Sequence, residues 1–149
     1  MAITQALCTS FKSELLNKEH DMNTNTFKIA LFTSSATLNA TTTAYSSSNE
    51  ASGTNYSAGG ATLSGGTITT SGTTVYVDFN DPTWSSASFT ARGALIYNSS
   101  VSNKAVCVLD FGGDFSVSSG TFISGYTLPS LSTTISLPSI SLPILYLEE

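Results

Sequence analysis

A mainly β fold is predicted, an antiparallel sandwich or barrel-like domain carrying one N-terminal amphipathic helix and an extended C-terminal arm. Three observations predict it. From Thr26 onward apolar residues recur with a period of two. Short runs of this kind follow at close intervals, separated by Gly, Asn and Ser. Charge is scarce, 10% of 149 residues, and its place is taken by hydroxyl and amide side chains. Period-two runs punctuated by turn residues are the mark of antiparallel strands, each with one buried face. Seven or so such strands suit a sandwich or barrel.

The elements follow in order. In "MAITQALCTSFKSELLNKEHD" the residues Ile3, Leu7, Phe11 and Leu15 recur at four-residue spacing, with Ala6, Cys8 and Leu16 beside them. That stripe predicts a helix over 3–18, with Thr4 as N-cap. "TFKIALFT" sets Phe27, Ile29 and Leu31 on one face and Lys28, Ala30 and Phe32 on the other, a strand. The polar stretch "SSATLNATTTAYSSSNEASGTNYSAGG" predicts a long loop anchored by Tyr45 and Tyr56. "ATLSGGTITTSG" is a weak strand pair, and "TTVYVDF" a stronger strand with Val75, Val77 and Phe79 opposite Tyr76. "SFTARGALIYN" and "NKAVCVLDF", joined by "NSSVSN", read as a hairpin. After Gly112-Gly113, "DFSVSSGTFISGY" predicts two further short strands, or one interrupted by a turn.

The chain then changes character. "LPSLSTTISLPSISLPILYLEE" has no charge before Glu148-Glu149, and Leu128, Leu137 and Leu142 each precede a proline. Proline lacks an amide donor and biases its predecessor toward extended backbone, which excludes a helix and disfavours a central strand. An extended arm remains, separate from a β-domain over 1–127. At about 3.3 Å per residue, residues 128–149 reach up to roughly 70 Å. Leu131, Ile135, Leu137, Ile140, Leu142 and Ile144 are its candidate subunit contacts, because burying each is worth about 1.5–3 kcal/mol.

Composition excludes several functions. A net charge of −5, with three of the five cations among the first 28 residues, gives no basic footprint for nucleic acid. Met1-Ala2-Ile3-Thr4 lacks the basic start and apolar run of a signal peptide, and no run reaches the roughly 20 apolar residues of a membrane span. Cys8 and Cys107 are too few for a disulfide framework and read as reduced, buried thiols of a protein made in a cytoplasm.

No catalytic constellation forms. Asp78, Asp81, Asp110 and Asp114 could supply a carboxylate pair or a Ca²⁺ site, but each sits where a strand gives way to a turn, a place where Asp caps backbone amides. "DFGGD" shares letters with a kinase metal motif and none of its context, and reads as a strand-ending turn. His20, the sole histidine, has no cysteine at ligand spacing and is expected at the surface. Arg92, the sole arginine, fits a structural salt bridge or a subunit contact. Trp84 is expected to plug a strand end, or to join Tyr45 and Tyr56 as stacking groups for a glycan. No enzyme, cofactor or metal is expected.

Three stretches carry a resemblance: "MAITQALCTSFKSELL", "TFKIALFTSSATLNATTTAYSSSNEASGTNYSAGGATL" and "TARGALIYNSSVSNKAVCVLDFGGD". Together they resemble a family of small tailed-phage proteins, mostly uncharacterised or assigned as virion structural proteins, over residues 1 to about 122. The resemblance implies a non-enzymatic virion component assembled in the host cytoplasm. A capsid decoration or cement protein comes first, and a tail, baseplate or fibre component is the alternative. The implied partners are further copies of the chain, a trimer being one such form, and the major capsid protein or tail proteins, with neither nucleic acid nor membrane. Family members end soon after the Gly-Gly-Asp turn with a last apolar strand, so residues 128–149 are an addition.

Overall fold

The computed structural model describes residues 2–124. They form a mainly β, antiparallel fold with one short helix. The elements are β1 (Ala6–Leu7), α1 (Thr9–Leu16), β2 (Phe27–Phe32), β3 (Ala61–Thr62), β4 (Thr67–Ser71), β5 (Thr74–Asp78), β6 (Thr83–Asn98) and β7 (Lys104–Ile123). One sheet has the order β1-β7-β6-β2-β3, and β4 and β5 make a separate two-stranded sheet. Neither sheet closes into a barrel. The candidate contacts Leu131, Ile135, Leu137, Ile140, Leu142 and Ile144 lie outside the described residues, as does the arm itself.

The hairpin of β6 and β7 dominates. Its strands are 16 and 20 residues long, far beyond the short strands expected, and it takes in "DFSVSSGTFI" as well. The residues that read as breakers sit inside the ladder. Ala91 pairs with Phe115 and Gly93 with Asp110, so two steps on β6 oppose five on β7. Phe111-Gly112-Gly113-Asp114 is therefore a wide bulge and not the strand-ending turn expected of "DFGGD". Gly112 takes φ +77° there, at no steric cost. Ser86 and Ser119 hold φ of +50° and +49° at further irregularities between Trp84 and Phe89.

These bulges bend the hairpin back on itself. A straight strand of 16 residues would hold its ends roughly 50 Å apart. Phe27 pairs with Asn98 at the far end of β6, yet its ring centroid lies 5.9 Å from that of Phe79, which precedes the near end. The inner surface of the curl is filled by rings. Trp84, Phe89 and Phe122 meet at centroid distances of 5.1–6.3 Å, and Phe111 joins them at 6.2 Å from Phe122. Next to its turn the hairpin sets Ala94 and Leu95 beside β2, where five of six residues are buried, and pairs them with Leu109 and Val108 of β7. At Gly93 a Cβ would stand 2.5 Å from the Leu109 carbonyl oxygen and 2.8 Å from Ile3, so only glycine fits the crossing.

The helix is shorter than its spacing predicts. The stripe over 3–18 gives α1 at Thr9–Leu16 only, with Cys8 and not Thr4 at the N-cap position. The residues ahead of it are extended. Thr4 donates its amide to Leu38, Ala6 and Leu7 pair with Val108 and Cys107, and Cys8 donates to Val106. Backbone partners on β7 outweigh a helical start, which fixes several residues for its first hydrogen bond. Of the stripe, Phe11 is buried and Leu15 half-buried, whereas Leu16 is 82% exposed.

Phe11 is the anchor of α1, and burial of its ring contributes about 1.5–3 kcal/mol. Phe11→Asp removes that and buries an unpaired carboxylate. The expected result is a melting temperature lowered by roughly 10 °C or more, or no soluble protein, as read by circular dichroism. Melting like the parent would show that α1 does not depend on this contact.

Candidate interaction surface

Several polar side chains in the domain hold loops in place. Glu50 is the clearest case. Its Oε2 accepts from Tyr45 Oη at 2.6 Å, and its Oε1 accepts from Tyr56 Oη at 2.7 Å and from the Gly59 amide at 2.8 Å. Tyr56 Oη in turn accepts the Leu31 amide at 2.8 Å, and Tyr97 Oη donates to the Gly59 carbonyl at 2.8 Å. The loop over 33–60 is thus bolted to β2 and β6. Gly60, at φ +70°, lets it approach so closely that a Cβ would stand 1.8 Å from Ile29 O. Burial, reinforced by the Glu50 charge, pushes the Tyr45, Tyr56 and Tyr97 phenols upward, so all three stay neutral donors.

A second network ties α1 to the turn between β6 and β7. The His20 side chain is wholly buried, contrary to the surface position expected of it. Asn98 is oriented by donating to Asn25 Oδ1 at 2.7 Å and accepting the Ser100 amide at 3.0 Å. Its Nδ2 therefore also donates to His20 Nδ1, at 3.0 Å, leaving Nε2 to donate to Glu14 at 2.9 Å. Lys104 bridges Glu14, at 3.2 Å, and Glu19, and its hydrogen bond holds the Glu19 carboxyl below its ordinary range. Phe11 lies against the imidazole, with centroids 4.8 Å apart.

The carboxylates singled out in the sequence do not converge. Asp110 pairs with Arg92, 3.1 Å from Nε to Oδ1, and accepts the Gly112 amide at 2.9 Å. Arg92 is thus in an intrachain salt bridge across the β6–β7 ladder. Both partners are partly exposed, so the pair contributes at most about 1 kcal/mol. Asp78 accepts the Phe79 amide at 3.0 Å, and Asp114 is exposed on the bulge. Among the described residues no three of His, Cys, Asp and Glu are grouped to hold a metal ion. Trp84 is buried between Tyr56, Phe89 and Phe122, and Tyr45 stacks on Tyr97 at 4.6 Å. Trp84 is thereby withdrawn from the surface, whereas Tyr45 is half-buried. Cys8 and Cys107 are free and buried, and burial pushes the Cys8 thiol up to about 11 and the Cys107 thiol higher still.

Among the described residues the outer edge of β7 is open over part of its length, as are the outer edges of β3, β4 and β5. The first half of β7 is covered: Ala105 donates to Thr43, Val106 accepts from Cys8, and Cys107 and Val108 pair with β1. Past the bulge, Phe115–Ile123 pairs with β6 alone among the described residues. The nine residues there, FSVSSGTFI, contain neither a charge nor a proline. Edge strands are ordinarily blunted by Lys, Pro or a bulge, and only the bulge at Ser119 is present. Phe115 and Val117 are half-buried along the inner face of this edge, and Ile123 is 47% exposed.

Comparison with known proteins adds no relative: no family model, no curated protein and no solved structure matches the chain.

The Glu50 network generates a direct test. Glu50→Ala leaves two phenols and one amide without their acceptor, at about 1–3 kcal/mol for each group that water does not reach. Thermal melting is expected to show a loss of roughly 2–4 kcal/mol in total, against about 1 kcal/mol for Tyr45→Phe. Equal melting of Glu50→Ala and Tyr45→Phe would mean that the carboxylate is not the hub.

Proposed function

We propose that the chain is a non-enzymatic structural protein of a tailed-phage particle, a capsid decoration or cement protein that binds as an oligomer. In this reading the described domain is a sandwich-like platform made by the curled hairpin. Residues 128–149 then run across a neighbouring copy, with Leu131, Ile135, Leu137, Ile140, Leu142 and Ile144 in contact.

One observation supports the reading: a strand edge that carries no charge and has no partner among the described residues coexists with an apolar segment that has no charge before Glu148. Chemistry-bearing side chains are meanwhile engaged in holding loops. A low-charge, hydroxyl-rich surface is suited to broad contact and poor in the convergent charged groups of a catalytic site. Arg92 has a partner of its own, which favours a structural role over a subunit contact. The same features support a tail, baseplate or fibre component as the second reading. A glycan-binding module is disfavoured because Trp84 is buried and Tyr45 and Tyr56 are each stacked on another ring and tied by their hydroxyls to Glu50.

Truncation after Tyr126 tests the proposal. The truncated domain is expected to melt within a few degrees of the full chain yet to fail to oligomerise or enter particles. A truncated chain that loses most of its stability would place the segment on its own domain. One that incorporates normally would remove the segment from assembly. Antibody labelling of intact particles separates a capsid position from a tail position.

A further inference from the structure

We propose that His20 is an acid-released latch: a neutral imidazole bridge between α1 and the β6–β7 turn, opened when a proton binds its Nδ1. The latch belongs to the folded domain and holds whatever part the chain plays in a particle.

Two backbone amides fix the direction of the hydrogen bonds around the ring. The Ser100 amide donates to Asn98 Oδ1 at 3.0 Å, so Asn98 turns its Nδ2 toward the imidazole. The Asp21 amide donates to Asn25 Oδ1 at 3.0 Å, and that oxygen also accepts from Asn98 Nδ2 at 2.7 Å. The two protons of Asn98 Nδ2 are thereby spent, one on Asn25 and one on His20 Nδ1, 3.0 Å away. Nδ1 must accept. A neutral ring that accepts there carries its proton on Nε2, which lies 2.9 Å from Glu14 Oε2. The His20 side chain and Asn98 are wholly buried, so water does not replace a bond that is lost.

A proton on Nδ1 turns this acceptor into a donor and sets it against Asn98 Nδ2–H. Rotating the Asn98 amide offers Oδ1 to the ring, but then two oxygens meet at Asn25 and two donors meet at Ser100. Turning the ring over puts carbons where both nitrogens were. Among charged groups, Glu14 faces the ring from α1, Glu19 feels its charge, and Lys104 of β7 is tied to both carboxylates. Asp21 is engaged by Asn23 and Thr24, while Asn25 and Asn98 are uncharged. The carboxylates accommodate an imidazolium and Asn98 does not. The protonated ring therefore stays with Glu14 and parts from the turn. What then joins α1 to the turn is the partly exposed Lys104 pair, which holds weakly. Phe11 lies on the imidazole and Cys8, at the start of α1, is buried, so release loosens the cover over both.

Labelling of the two buried thiols by dithiodipyridine reads the opening, with rates normalised to the denatured chain at each pH. From about pH 7.5 to about pH 5.5, across the range in which imidazole ordinarily gains a proton, the full-length chain is expected to label at least about tenfold faster. In His20→Gln the amide accepts from Asn98 and donates to Glu14 without titrating, and a rise of less than about threefold is expected. Glu14 and Glu19 are present in both proteins, so the difference isolates the imidazole. A flat rate in the parent, or an equal rise in His20→Gln, would overturn the latch. Asn98→Asp presents an acceptor to the protonated ring and is expected to abolish the rise. A rise like the parent's would remove Asn98 from the mechanism and overturn the proposal. Nitrogen NMR of the parent at about pH 7.5 tests the same point without any substitution. A proton on His20 Nε2 is the expected result, and a proton on Nδ1 would overturn the bridge.

Discussion

The bulge at Phe111–Asp114 is the constraint on which the rest of the fold depends. Three extra residues on β7 let the long hairpin turn back, and without that turn the aromatic residues of its distal half would have nothing to cover. Trp84, Phe89 and Phe122 would stand in water at one end of a ribbon, while Leu95 and Leu109 packed at the other. Curling brings both halves around one core, so the burial of large rings is gained only when the bulge forms. The Arg92–Asp110 pair sits at the start of this irregularity, and Asp110 also accepts the Gly112 amide. A modest salt bridge thus acts as a local pin on the bend.

Loops close the space that the curl leaves. The segment over 33–60 is polar and, taken alone, could bury little. Glu50 changes that by collecting two phenols and an amide around one carboxylate. A half-buried charge is tolerable when its lone pairs are satisfied, and the tyrosines bring apolar rings as well as donors. The loop is thereby anchored on Leu31 through the Tyr56 hydroxyl.

Much of the β character was legible, and the reasons are local. "TFKIALFT" contains β2, Phe27–Phe32, because its alternation and bulk suit a buried strand whatever its neighbours. The turn "NSSVSN" joined the two best strands for the same reason. The helix over 3–18 was only partly right, because four-residue spacing also fits a chain that is extended up to Cys8 and helical after it. Which form wins is decided by acceptors on β7, a hundred residues away. "DFGGD" was misread because glycines that end a strand and glycines that bulge one look alike without the partner strand. His20 and Glu50 are illegible as anchors, since His20 finds Asn98 78 residues away and the partners of Glu50 are scattered along a loop without periodicity.

The proposed function rests on what the described residues leave unsatisfied. A strand edge without charge or proline is a hazard to a free monomer and an asset to an assembly. Hydrogen exchange across Phe115–Ile123 measures its state most directly. On the proposed role, amides of the full-length protein that point away from β6 should exchange at least about tenfold more slowly than in the chain truncated after Tyr126, in an alternate-residue pattern. Equal exchange rates in the two proteins would contradict the account, because the edge would then be open to water whether or not the segment is present.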